Sequence, residues 1–233
     1  MTVHDTAASP LAYEKRQSRA APAYAMIWLH GLGADGHDFI PVTQAMPQSG
    51  AHGIEYYFPH APLRPVTINN GMVMRAWYDI LGVELRRDLD SAGIKASVAA
   101  VEALRDAIAA QGIPHERHIL AGFSQGGVIA LRTALASEQP VAAVIGLSCY
   151  LAQSEELTTW ASQAAASTPV FLGHGDHDPM VACQLGQAAR DTLTAAGYAV
   201  AWRHYPIPHS VSPAEIADLD QWLADILGAQ ATS

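Results

Sequence analysis

Residues 118–127 read HILAGFSQGG, an apolar run that ends at a serine between two glycines and passes directly into the helical pattern VIALRTALAS. Gly122 and Gly126 stand two positions either side of Ser124. A serine on so sharp a strand-to-helix turn has its hydroxyl lifted above the sheet, and side chains at the two glycine positions would collide inside the turn. The helix that begins there directs free amides and a positive dipole end at the serine, which favours negative charge developing beside it. A GxSxG pattern fixes only three letters. A reactive serine also needs a base to take its proton and a third group to orient that base, so the rest of the chain has to supply them.

Working outward, five more runs share the character of HILAGFS: YAMIWLHG, IEYYFPH, VAAVIGLS, PVFLGHG and YAVAWRHY. Each is apolar on both faces and ends in glycine or polar residues, as strands of a parallel sheet covered on both sides do. Helical patterns lie between them. In IKASVAAVEALRDAIAAQG, Ile94, Val98, Val101, Leu104 and Ile108 recur every three or four residues, with Gly112 and Pro114 as a stop. The last helix opens with SPAE: Ser212 caps, Pro213 takes the first helical position, Glu215 completes a capping box, and Ile216, Leu219, Leu223 and Ile226 form the core face. Alternating strands and helices predict an α/β fold with a mostly parallel central sheet, helices on both faces, and ligands at the carboxyl ends of the strands.

No linker or shift in composition divides the 233 residues, so a single domain spanning 1–233 is expected. Residues 1–22 read as an irregular extension in which LAYEKRQSR is at best an edge strand. The segment 61–91 is too long and aperiodic for a simple connection and is expected to overhang the site end of the sheet. Half the residues are apolar and 15% are charged, which excludes a disordered chain. A net charge of −9 without any cluster of Lys and Arg argues against a nucleic-acid partner. The start of the chain lacks the apolar core of a secretory signal, and no run approaches the roughly 20 apolar residues of a bilayer span. A cytoplasmic address without stable membrane insertion is expected, with Cys149 and Cys183 as buried free thiols.

The partners of Ser124 come from later strand ends. PVFLGHGDHDPMV presents Asp176 and Asp178, and YAVAWRHYPIPHSVSP presents His209 just ahead of the capped helix, giving the order serine, acid, histidine. Backbone donors for a tetrahedral oxyanion would be the N–H of Gln125, next after the serine, and that of Leu32 between Gly31 and Gly33 in IWLHGLGADG. His30 reads as a structural support for that loop. The group His174, Asp176, His177, Asp178 could be read as metal ligands, but it lacks the helical spacing of HExxH, so no metal is expected there.

Together, HGLGADGHDF, AGFSQGG, GHGDHDPMV and PIPHSV resemble, in order, the motifs of the α/β-hydrolase carboxylesterases related to acyl-protein thioesterases and lysophospholipases. The match runs from about Ile27 to His209, and APLRPVTINNGMVMRAWYDI resembles the family's loop. The resemblance implies an α/β-hydrolase fold without a separate cap domain, Ser124 as nucleophile, His209 as base, and Leu32 with Gln125 as oxyanion donors. It selects Asp178 as the acid, because that residue directly precedes a proline, and leaves Asp176 as the fallback. Trp77 reads either as core or as a wall of the acyl pocket, and the resemblance favours the wall; Met72 and Met180 are further pocket candidates, and Met180 departs from the family's usual β-branched or leucine residue. The resemblance also implies no metal or organic cofactor, short to medium acyl esters as small-molecule substrates, and room for a homodimer. An acyl-protein thioesterase or lysophospholipase would use the same triad. A non-catalytic binding protein of this fold would typically have lost a triad member, and all three are present.

Overall fold

The computed structural model describes residues 11–18, 21–82 and 89–231. In chain order the elements are β1 (Tyr13–Gln17), β2 (Tyr24–Leu29), α1 (Pro47–Gly50), β3 (Ile54–Pro59), β4 (Leu63–Val66), β5 (Met72–Arg75), α2 (Ser91–Ala110) and β6 (His118–Phe123). There follow α3 (Gln125–Ala136), β7 (Ala143–Leu147), α4 (Leu157–Trp160), β8 (Val170–Gly175), α5 (Cys183–Ala195), β9 (Val200–Tyr205) and α6 (Pro213–Ala231). Seven strands form one sheet in the order β1-β3-β2-β6-β7-β8-β9. All six strands expected from the apolar runs are parallel neighbours within it.

The apolar runs lack alternation because both faces of the sheet are covered. Along β2, Ala25, Ile27 and Leu29 join a core cluster with α2, α3 and α5, while Tyr24, Met26 and Trp28 join a second cluster with α6. The period of two along a strand therefore appears in the destination of each side chain and not in its polarity.

LAYEKRQSR does form an edge strand: β1 pairs antiparallel with β3, Glu14 opposite Phe58 and Arg16 opposite Tyr56. The strand covers Tyr13–Gln17 of the 1–22 segment, of which residues 1–10 and 19–20 lie outside the described residues. The charged side chains suit an outermost strand, where they discourage pairing with another chain, and Lys15 meets Glu55 at 2.8 Å.

The aperiodic segment 61–91 also holds structure. β4 and β5 form an antiparallel hairpin, closed through Asn70 (φ 55°) and Gly71 (φ 73°) in the left-handed region. Such a turn favours asparagine and glycine, and the sequence NNG supplies them. Part of this segment, residues 83–88, lies outside the described residues. The helices follow the sequence closely. α2 is capped by Asp90, whose side chain accepts from the Gly93 N–H, and it buries Ile94, Val101, Leu104 and Ile108. α6 carries the capping box: the Glu215 N–H donates to Ser212 Oγ at 3.1 Å, and the Ser212 N–H donates to Glu215 Oε2 at 3.4 Å. Its buried face ends on Leu227; Ile226 is only partly buried.

Candidate active site

Ser124 sits between β6 and α3 with φ 55° and ψ −120°, a conformation that non-glycine residues rarely adopt. The surrounding backbone enforces it. A Cβ on Gly122 would come within 2.3 Å of the Gly126 carbonyl, and one on Gly126 within 2.2 Å of the Leu29 oxygen, so both positions must lack side chains. The Ser124 N–H is tied to Leu147 O at 2.8 Å. Strain of this kind, about 1–3 kcal/mol, persists where neighbours over-determine the turn, and here it presents the hydroxyl at the carboxyl end of the sheet.

Three sequence-distant side chains form one hydrogen-bonded line there. Ser124 Oγ lies 2.9 Å from His209 Nε2, and His209 Nδ1 lies 2.6 Å from Asp178 Oδ2. Asp178 has a fully buried side chain. Its other oxygen accepts from the N–H groups of Met180 and Val181, both at 2.8 Å, which fixes the carboxylate plane. Asp176, the fallback acid, faces elsewhere and pairs with His204 at 2.8 Å. The ring of Phe123 packs 4.7 Å from that of His209. His174 donates from Nε2 to Val181 O, and burial lowers its pKa, so it lies beside Asp178 as a neutral ring. The arrangement can pass the serine proton to imidazole while the carboxylate holds the tautomer that makes Nε2 the acceptor.

The loop after β2 approaches the same point. Gly33 and Ala34 direct their N–H groups to Arg75 O and Gly31 O, whereas among the described residues the Leu32 N–H has no protein acceptor. Gln125 is the first residue of α3, where an amide has no intrahelical partner. Leu32, Gln125, Ser124 and His209 all line one cavity of about 620 Å³. Backbone amides of this kind stabilise the negative oxygen that forms on a carbonyl attacked by a serine. His30, expected as a support, is buried. Its Nε2 accepts from the Ala61 N–H at 3.0 Å and its Nδ1 meets Gly31 O at 2.7 Å, so burial holds it neutral with a defined tautomer.

The sequence did not disclose the side-chain role of Gln125. Its Oε1 accepts from the Trp77 N–H at 2.7 Å and its Nε2 donates to Tyr78 O at 2.8 Å, all buried. The Trp77 indole in turn donates to His30 O at 2.9 Å. Residues 75–78 thus strap the Leu32 loop to the serine turn. Trp77 is completely buried in the core and does not line the cavity, contrary to expectation. Its indole is turned inward by the bond to His30 O, and the neighbouring Tyr78 forms the wall. Met72 is likewise absent from the lining, because it projects from the hairpin with 64% exposure. Met180 does line the mouth. Ile68, Asn69 and Ile80, within the loop expected to overhang the site, also line the cavity, and so does Tyr150, which no motif marked.

A family model described as Phospholipase/Carboxylesterase matches residues 14–227. The chain belongs to the phospholipase/carboxylesterase family. As a member of it, the protein is a hydrolase with the α/β-hydrolase fold. A protein of similar sequence, acyl-protein thioesterase 1 of Cryptococcus neoformans var. neoformans, is 34% identical over 234 residues, covering 93% of this chain and 98% of its own. Among solved structures, SOBER1 of Arabidopsis thaliana is 30% identical with a TM-score of 0.81, covering 88% of this chain and 99% of its own. The acyl-protein thioesterase 2 of Zea mays is 27% identical with a TM-score of 0.82, covering 93% and 99%. Among the described residues, no helix of this family member is long and apolar enough to cross a membrane.

Proposed function

We propose that the protein is a serine hydrolase of acyl thioesters, of the acyl-protein thioesterase kind, acting through an acyl-enzyme on Ser124. The observation that carries the chemistry is the line from Ser124 through His209 to Asp178, with bonds of 2.9 and 2.6 Å, at a cavity that Leu32 and Gln125 also line. Ser124 Oγ attacks the acyl carbonyl as His209 Nε2 takes its proton. The tetrahedral oxyanion is held by the Leu32 and Gln125 amides. His209 returns the proton to the leaving thiolate, then takes one from the water that attacks the acyl-enzyme and hands it to Ser124 Oγ as the acid departs.

The sequence reading favoured carboxylic esters and held thioesters as the alternative. The names of the relatives support the alternative. The mechanism allows either, because the triad reads the acyl carbonyl while the pocket reads the rest. The cavity walls Leu32, Ile68, Tyr78, Ile80 and Val181 suit an acyl chain, and the size is that of ordinary ligand pockets.

The test is parallel turnover of an octanoylated-cysteine peptide and of p-nitrophenyl octanoate by wild type and Ser124→Ala. Serine loss should lower both rates by about 10⁴-fold or more. A variant retaining more than about 1% of the wild-type rate would remove the serine mechanism. Wild type with a kcat/KM for the thioester well below that for the oxygen ester would return the assignment to carboxylesterase.

A further inference from the structure

Behind the loop that carries Leu32, three side chains from separate parts of the chain converge. Glu14 comes from the edge strand β1, His37 from the loop after β2, and His60 from the residue following β3. Glu14 Oε1 lies 3.4 Å from His37 Nε2 and 3.7 Å from His60 Nε2, and one ligand atom from each of the three falls within 4.8 Å of the others. The two imidazole rings are 5.6 Å apart, centre to centre. Nitrogen and oxygen ligands at about 2.0–2.2 Å from a tetrahedral ion stand about 3.4 Å from one another, so the two glutamate contacts are within a few tenths of an ångström of that spacing.

The surroundings add a second indication. The remaining ring nitrogen of His37 meets Asp35 Oδ1 at 3.0 Å, and the same carboxylate accepts the His37 N–H at 2.8 Å. A carboxylate on the far nitrogen is the usual means of orienting a metal-bound imidazole and raising its basicity. Gly36, between these residues, is packed so that a Cβ would come within 2.3 Å of Phe58 O, which holds the loop against β3.

We propose that Glu14, His37 and His60 form a binding site for one borderline divalent transition ion, of which zinc, nickel and copper are the chemical class. Two imidazoles with one carboxylate favour these ions over magnesium or calcium. The site is separate from Ser124 and independent of the thioesterase reading. Nδ1 of His60 accepts the Gly36 N–H at 3.1 Å, which places the ring proton on Nε2, facing Glu14. The ion takes Nε2, so that proton relocates to Nδ1 and Gly36 loses its acceptor. Binding therefore joins β1, the Leu32 loop and the end of β3, and it leaves a spectroscopic mark on one named ring.

The experiment is zinc titration of the full chain by calorimetry, alongside long-range ¹H–¹⁵N spectra of the histidines, with magnesium as control. One zinc per chain is expected at a Kd below about 100 μM, with the His60 proton moving from Nε2 to Nδ1 and a rise in Tm that magnesium does not produce. Glu14→Gln and His37→Gln should each weaken zinc at least about tenfold, while circular dichroism confirms that they fold. No binding at 1 mM zinc (about that Kd or weaker) overturns the proposal. So does zinc affinity unchanged in a Glu14→Gln, His60→Gln double variant, because the ion would then sit elsewhere, for example at Asp176 and His204. An unchanged His60 tautomer at saturating zinc overturns it as well.

Discussion

At the scale of single residues, Gln125 shows how one position can carry two duties. Its backbone N–H lies at the start of α3 beside Ser124, and its carboxamide is bonded on both sides to Trp77 and Tyr78. Gln125→Ala would leave a buried N–H and a buried carbonyl without partners, which should lower stability by roughly 2–6 kcal/mol in urea unfolding, at about 1–3 kcal/mol per group. The same variant should reduce kcat more than it raises KM, because the strap aligns the oxyanion donors and not the substrate's ground state. Ser124 and its glycines were readable in the sequence because the elbow needs those residue types at fixed offsets. The strap was not, since the partners of Gln125 are backbone atoms 47 and 48 positions away, and backbone atoms leave no mark on residue identity.

Secondary elements divide along the same line. α2 and α6 were legible from periodicity and caps, whereas α1, a single turn, depends on a distant neighbour. Asp220 of α6 accepts the N–H groups of Gln48 and Ser49 at 3.0 and 2.8 Å, together with the Ser49 hydroxyl at 2.6 Å. Asp220→Ala leaves the buried Ser49 N–H and hydroxyl without their acceptor and should destabilise the fold by about 2–6 kcal/mol, measured as a lower urea midpoint at constant m-value. The β4–β5 hairpin escaped the sequence reading because its strands are four residues each and mostly exposed, so no hydrophobic period develops. It splits functionally by side-chain direction. Ile68 lines the cavity, and Ile68→Ala should raise KM several-fold for an octanoyl thioester while sparing an acetyl one. Met72→Ser with Val73→Ser, at positions 64% and 62% exposed, should leave turnover of both unchanged and stability within about 0.5 kcal/mol per site.

For the whole molecule, two buried groups give stability opposite dependences on pH. Burial pushes the Glu215 carboxyl up to about 7 from an ordinary 4.5, so it binds its proton more tightly folded than unfolded, and stability falls as pH rises across that interval. Burial lowers His118 to about 4 from 6.5, so the unfolded chain takes the proton first, and stability falls as pH drops across that interval. Each full effect is on the order of 3 kcal/mol. Relative to wild type, Glu215→Gln should gain little near pH 4.5 and most above pH 7, and His118→Gln should gain most near pH 4, both read from urea midpoints at several pH values. Glu215 was recognisable as a capping residue, but its burial beside Gly173, where an added Cβ would lie 2.3 Å from its Oε1, follows only from how α6 packs on β8. By itself the sequence determined the parallel α/β sheet, the serine elbow and the order of its partners, because strand burial, turn sterics and helix caps restrict residue type locally. The tertiary structure alone decided that Trp77 faces the core while Tyr78 faces the cavity, and that Glu14, His37 and His60 converge, because each of these depends on distances between segments that only packing sets.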